Sequence, residues 1–248
     1  MVYVKQLWKG FTGPDLSRES ISSAPASSLD LRELTIDYDS DSDVIVLGSR
    51  PDNEKQSLKS NVEEGKQKPP TLLGRDPTTD PVIDVNMATQ LRPFLPPRFK
   101  QASKWKLLYS LDQHGISLTT LYHKAKVKGP QILAIKDDND DVFGAFLNES
   151  LRPSPTYYGT GESFLWKVIG SNENSRVKIY PWTGRNEYMI LCDPGFIGVG
   201  GGDGKFGLWL HANLETGHSE SCQTFNNELL SRQPDFTCVE LEVWAFEI

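Results

Sequence analysis

From Thr71 onward the chain is a series of short apolar, β-branched and aromatic segments separated by turn residues, with helical spacing in only two places. The segments are "KWKLLYSL" (104–111), "QILAIK" (131–136), "VFGAFL" (142–147), "ESFLWKVI" (162–169), "RVKIYPW" (176–182), "EYMILC" (187–192), "GLWLHANL" (207–214) and "CVELEVWAFEI" (238–248). Strands that follow one another without crossover helices pair antiparallel and bury one face against a second layer. In "SFLWKVI" both faces are apolar, which marks a strand lying between two layers. The last segment alternates, with Val239, Leu241, Val243 and Ala245 predicted on one face and Glu240 and Glu242 on the other. The expected class is therefore α+β: two antiparallel β-sheets packed as a sandwich with a few flanking helices.

Two stretches have helical spacing. "DVNMATQLR" (84–92) places Val85, Ala88 and Leu91 on one face and must end near Arg92, because Pro93 follows. In "HGISLTTLYHKA" (114–125), Ser117 is a good N-cap, with Ile116 and Leu121 at the staple positions. Leu118, Leu121, Tyr122 and Ala125 form the apolar stripe. Upstream the composition changes. Residues 1–70 hold a Ser-, Asp-, Glu- and Pro-rich stretch too poor in apolar side chains to offset its ordering entropy. The expected division is a largely disordered acidic arm over 1–70 and a folded domain over 71–248.

The bulk numbers exclude several functions. A net charge of -7 gives no electrostatic footprint for nucleic acid. No apolar run has the length of a membrane span, so no membrane insertion is expected, and the N-terminus has no secretory pattern. Three cysteines without a CxxC pair fit a reducing compartment. The expectation is a soluble, intracellular protein.

"GVGGGDGKFGLWLH" (198–211) tests for a phosphate site. A Walker loop fails twice, with Val199 at its first glycine and Phe206 at its hydroxyl. A dinucleotide pattern fits Gly202, Gly204 and Gly207, but a strand follows where that motif needs a helix. Close backbone approach in a tight bend between strands explains the glycines better. "DDNDD" (137–141) likewise reads as a hairpin turn, because Val142 and Asn148 stand where a calcium loop needs Gly and Glu. Cys222 with His218 offers at most half a metal site, and Cys222 or Cys192 could do peroxide chemistry only with a lowered thiol pKa. Trp166, Trp182, Trp209 and Trp244 read as core or sheet-face residues. In the arm, "DYDSDSDVIVLG" has Val44, Ile45, Val46 and Leu47 after an acidic run, the pattern of a SUMO-interaction motif that adds a strand to its partner.

Long stretches carry a family resemblance: "LLGRDPTTDPVI", "LPPRF", "KWKLLYSLDQHGISLTTLY", "GTGESFLWK", "GGGDGKFGLWLHANLETGHSESCQTFNNELL" and "LEVWAFE". In this order, over 71–248, they resemble the TLDc domain of the oxidation resistance proteins, in the compact fungal form of a short polar arm followed by the domain. The resemblance implies the two-sheet TLDc sandwich, protection against oxidative damage, and binding to the vacuolar-type proton ATPase through its detached catalytic sector, which favours disassembly. It also implies a cytoplasmic location, at the vacuolar surface, or a mitochondrial association. It carries over no catalytic residue, cofactor or metal ligand, so a non-enzymatic protein is expected. Candidates for partner contact are the signature residues Asp112, His114, Glu162, Gly201, Gly202, Asp203, Gly204, Gly207, Trp209 and His211. Where the family pattern has an acid after "GLWL", this chain has His211. The alternatives are a redox-protective protein using Cys192 or Cys222, and an adaptor that recruits a SUMO-modified partner through the arm.

Overall fold

A computed structural model describes residues 68–127, 129–170 and 174–247. The arm and its Val44–Leu47 segment lie outside the described residues. Eleven strands follow in order: β1 (Thr71–Leu73), β2 (Lys104–Ser110), β3 (Gln131–Asp137), β4 (Val142–Leu147), β5 (Phe164–Ile169), β6 (Arg176–Pro181), β7 (Ile190–Asp193), β8 (Phe196–Gly202), β9 (Lys205–His211), β10 (Thr216–His218) and β11 (Asp235–Glu247). Among the described residues four α-helices accompany them: α1 (Val85–Leu91), α2 (Pro97–Lys100), α3 (Leu111–His114) and α4 (Leu118–Ala125).

One strand organises both layers. The start of β11 pairs with β10 at Asp235–Thr237, continuing into the sheet β10-β9-β8-β7. Its later part pairs with β3 on one side and β2 on the other, within the sheet β6-β5-β4-β3-β11-β2-β1. Every pairing is antiparallel except β1 with β2.

The larger sheet is covered on both faces. Along β3, Leu133 and Ile135 join the core shared with Ile197, Val199, Leu208 and Leu210 of the smaller sheet. Ile132 and Ala134 join a second core with Trp166, Trp244 and, from α1, Ala88 and Leu91. β5 divides as its two apolar faces require, with Leu165 in the first core and Phe164 and Trp166 in the second.

Local signals hold with corrections. Asp84 caps α1 by accepting from Met87 N at 2.6 Å, but Val85 is exposed rather than on the buried face. A stripe at i, i+3, i+6 drifts about 120° around a helix over its length, so the face that buries Leu91 leaves Val85 behind. Ser117 caps α4, and Leu118, Leu121, Tyr122 and Ala125 are buried. The staple is not made, because Ile116 stays exposed; Tyr109 Oη, accepting from Ser117 N at 3.3 Å, fixes the entry instead. "EYMILC" becomes a strand only from Ile190.

The alternation of β11 is corrected most. A bulge between Cys238 and Glu240 extrudes Val239, which is 50% exposed. Glu242 is 0% exposed, because its face of the strand lies under a loop from the other end of the domain.

Candidate functional site

Two polar clusters contain most of the signature residues. The first is built around Glu242. Its Oε1 accepts from Arg75 Nη1 at 2.7 Å and Val82 N at 3.0 Å; its Oε2 accepts from Ile83 N at 3.0 Å and Trp244 Nε1 at 2.9 Å. A buried carboxylate is tolerable only when its oxygens are occupied in this way. The residues 74–83, "GRDPTTDPVI", therefore form a strap across β11, held from below by one side chain.

Asp112, in the first turn of α3, holds the strap from the side. Its Oδ2 lies 3.3 Å from Arg75 Nη2, and Arg75 also donates to the Ser110 hydroxyl and the Asp80 carbonyl. Gln113 completes the attachment by donating to Gly74 O at 3.1 Å and accepting from Asp76 N at 2.9 Å. His114 closes α3, stacks on Tyr109 and accepts from Ser110 N at 3.0 Å; burial, then the nearby Lys124 charge, holds its basicity below the usual imidazole range. Between strap and strand lies an open groove of about 490 Å³ lined by Thr78, Asp80, Asp112, Lys136 and Glu240.

The second cluster surrounds the glycine-rich hairpin of β8 and β9. Gly202 pairs with Lys205, so the turn has two central residues, Asp203 at φ 55° and Gly204 at φ 72°. Positive φ at both positions defines the type I′ turn, for which Asp-Gly is a preferred pair. Asp203 accepts from Gln223 Nε2 at 2.6 Å. Behind the turn, the Thr224 hydroxyl accepts from Gly201 N at 2.9 Å and lies 2.8 Å from Asn186 Oδ1. Asn186 in turn donates to Gly201 O at 3.3 Å. Gly207 answers to close approach, because a Cβ there would sit 2.6 Å from Leu165 Cδ1 and 3.0 Å from Cys222 Sγ. Nothing in this geometry presents a row of free amides to a phosphate; the amides of Gly200 and Gly201 are taken by Met189 O and the Thr224 hydroxyl.

Beside this hairpin stands an exposed aromatic edge. Trp182 is 39% exposed and stands just past the end of β6, correcting its reading as a core or sheet-face residue, yet it is fixed by its indole N–H to Asn186 O at 2.7 Å. Tyr188 is 42% exposed and stacks on Tyr157 with centroids 4.7 Å apart. Trp209 is half-buried between Phe196 and His211. His211 is exposed at the far end of β9 and accepts from Asn213 N at 3.2 Å, while Glu162 lies exposed in the turn before β5. The structure thus brings Asp112 and His114 together, and Gly201–Gly204 together, but leaves Glu162 and His211 apart from both groups.

The thiols are turned inward. Cys192, Cys222 and Cys238 are all free and buried. Burial pushes the Cys192 thiol up to about 11, against hydrogen bonds from Tyr158 and Tyr122 that favour the thiolate, and it raises Cys222 and Cys238 as well. Cys222 does not meet His218: its Sγ lies 3.3 Å from Asn227 Oδ1, whereas His218 bridges Asp235 at 2.6 Å and Glu220 at 3.2 Å. Among the described residues no group of three or more His, Cys, Asp or Glu is arranged to hold a metal ion, and no helix is long and apolar enough to cross a membrane.

A model of the TLDc domain matches residues 77–247, from within the strap to the end of β11. The chain belongs to the TLDc-domain family. It is 40% identical over 192 residues to Oxidation resistance protein 1 of Eremothecium gossypii, covering 73% of this chain and 81% of that protein. With Oxidation resistance protein 1 of Yarrowia lipolytica it shares 39% identity, covering 74% and 82%. It is 41% identical to human Nuclear receptor coactivator 7 over 75% of this chain, and there it spans only 20% of the relative's length. Arg75, Glu240 and Glu242 were not singled out from sequence, although "GRDP" and "LEVW" carry the first and last of them. The signal available was a charged residue inside an otherwise apolar strand, which demands a partner that spacing cannot locate. Asn186, Gln223 and Thr224 carried no such signal.

Proposed function

We propose that this chain is a non-enzymatic oxidation-resistance protein that acts by binding, and that its partner is the vacuolar-type proton ATPase. Membership of the TLDc family and the two relatives named Oxidation resistance protein 1, each matched over about four-fifths of its length, support the role in oxidative stress resistance. The observation that carries the binding reading is the direction of the polar groups. In both clusters they are spent on the protein's own backbone, while rigid aromatic side chains at Trp182 and Tyr188 are left outside. Fixed, exposed aromatics are the usual anchors of protein interfaces.

The partner surface is the detached catalytic sector of the pump. Tighter binding to that sector than to the intact enzyme draws the pump apart, because only differential affinity shifts an equilibrium. The chain acts in the cytoplasm at the vacuolar surface, and a mitochondrial association fits the same domain. The test is to titrate the full chain into purified, assembled pump, following ATPase activity and native mass. The expected result is loss of activity with the chain bound to the detached sector. An assembled, active pump with no bound species would overturn the proposal.

A further inference from the structure

The bulge that extrudes Val239 sets Glu240 at the floor of the groove beneath the strap, opposite Lys136 in register. Asp112, in the first turn of α3, lines the same groove, and its carboxyl group is the neighbour of Glu240 there. Its Oε2 is buried, yet has no hydrogen-bond partner among the described residues. The cations nearby are otherwise engaged. Arg75 is held by Glu242, Asp112 and the Ser110 hydroxyl, and Lys136 reaches Asp140 at 2.9 Å. The remaining groups around Glu240 are Asp80 in the strap, Glu242 on the same strand and the Cys238 thiol, none of them a source of positive charge.

Two carboxyl groups in contact and partly removed from water do not both ionise; the pair titrates as a unit and one proton is retained. A proton between them also supplies the donor that Glu240 Oε2 lacks. We propose that Glu240 keeps its proton against the Asp112 carboxylate and so forms a pH-sensitive latch that clamps α3 and the strap onto β11. With the proton present, the two acids are bonded across the groove. Without it, two anions face each other there and push α3 from the strand. The outer strap loosens first, because Gly74 and Asp76 hang on Gln113, the neighbour of Asp112. Val82 and Ile83 stay, since Glu242 holds them independently.

The direction of the effect follows from burial, which with the Asp112 charge pushes the Glu240 acid up to about 8, against the pull of Arg75. In the opened or unfolded chain the same carboxyl ionises at about 4.3. The latched form therefore binds the extra proton between these values. Its stability is greatest at low pH, falls as pH rises through that window, and levels off once the pair has ionised in the closed form. This proposal goes beyond pump binding and does not depend on it.

The test uses the full chain, its Glu240→Gln variant and its Asp112→Asn variant. Amide exchange at Asp76, whose N–H Gln113 holds, is measured against pH and divided by the rate in Glu240→Gln, which removes intrinsic base catalysis. The expected ratio rises by up to about tenfold per pH unit between about 5 and 8, then levels off. In parallel, the side-chain carboxyl carbon of Glu240 is followed by NMR in the unmodified protein. It is expected to titrate near neutrality or above, and to return toward the ordinary carboxylate range in Asp112→Asn. An exchange ratio independent of pH, or a Glu240 carboxyl that titrates in the ordinary range in the unmodified protein, would overturn the latch. The carboxyl titration needs no variant, so a folding failure of Glu240→Gln leaves the proposal falsifiable.

Discussion

At the Glu242 end of the domain the buried polar atoms carry charge, whereas at the Gly201 end they are neutral. Glu242 and Arg75 join segments 167 residues apart, and the carboxylate accepts from four donors at once. Thr224 and Asn186 do a similar task for the hairpin with a hydroxyl and an amide, and without any net charge. The charged arrangement is the stronger hold, and it fails in an asymmetric way: losing the anion leaves three N–H donors without an acceptor, although Arg75 keeps Asp112, the Ser110 hydroxyl and the Asp80 carbonyl, while losing the cation leaves an anion still met by those three donors. The neutral arrangement fails gradually and does not respond to pH.

That difference can be broken from either side. Glu242→Ala is expected to cost about 3–5 kcal/mol in urea unfolding, the range for breaking a buried ion pair by removing one partner, here with the amides of Val82 and Ile83 and the Trp244 indole left without an acceptor. Arg75→Ala is expected to cost less than Glu242→Ala in the same experiment, because Val82 N, Ile83 N and Trp244 Nε1 still face the carboxylate. Equal losses would mean that the ion pair, and not the set of donors, dominates. Thr224→Val keeps the shape but removes the hydroxyl that serves Gly201 N. It is expected to cost about 1–3 kcal/mol, the price of an unsatisfied buried amide, with the loss unchanged across pH 5–8 as fixed by about the same neutral groups.

Local chemistry was readable from sequence where its partners lie close in the chain. Ser117 caps the helix it precedes, "DDNDD" makes a turn with Asp137 accepting from Asn139 N and Asp141 N, and Asp203-Gly204 makes the hairpin. The two apolar faces of β5 placed it between two layers. Glu242 was legible only as one half of an alternation. Whether such a face meets water or a covering loop depends on residues far away, and Arg75 supplies nothing that the strand pattern can register. The bulge at Val239 escaped for a related reason: one extra residue shifts the alternation without altering composition. Trp182 was misread as core or sheet face, whereas it stands just past the end of β6 with its ring against Gly161 and its N–H on Asn186 O.

We propose that protection comes from a surface and not from thiol chemistry. It is tested most directly by replacing Cys192, Cys222 and Cys238 with alanine together in the full chain. Once thermal unfolding has shown that the variant is folded, its protection of cells against peroxide is compared with that of the unmodified protein. Undiminished protection is the predicted result, since all three thiols are buried and their acidity is suppressed. A folded variant that no longer protects would contradict the account and return the cysteines to the centre of the mechanism.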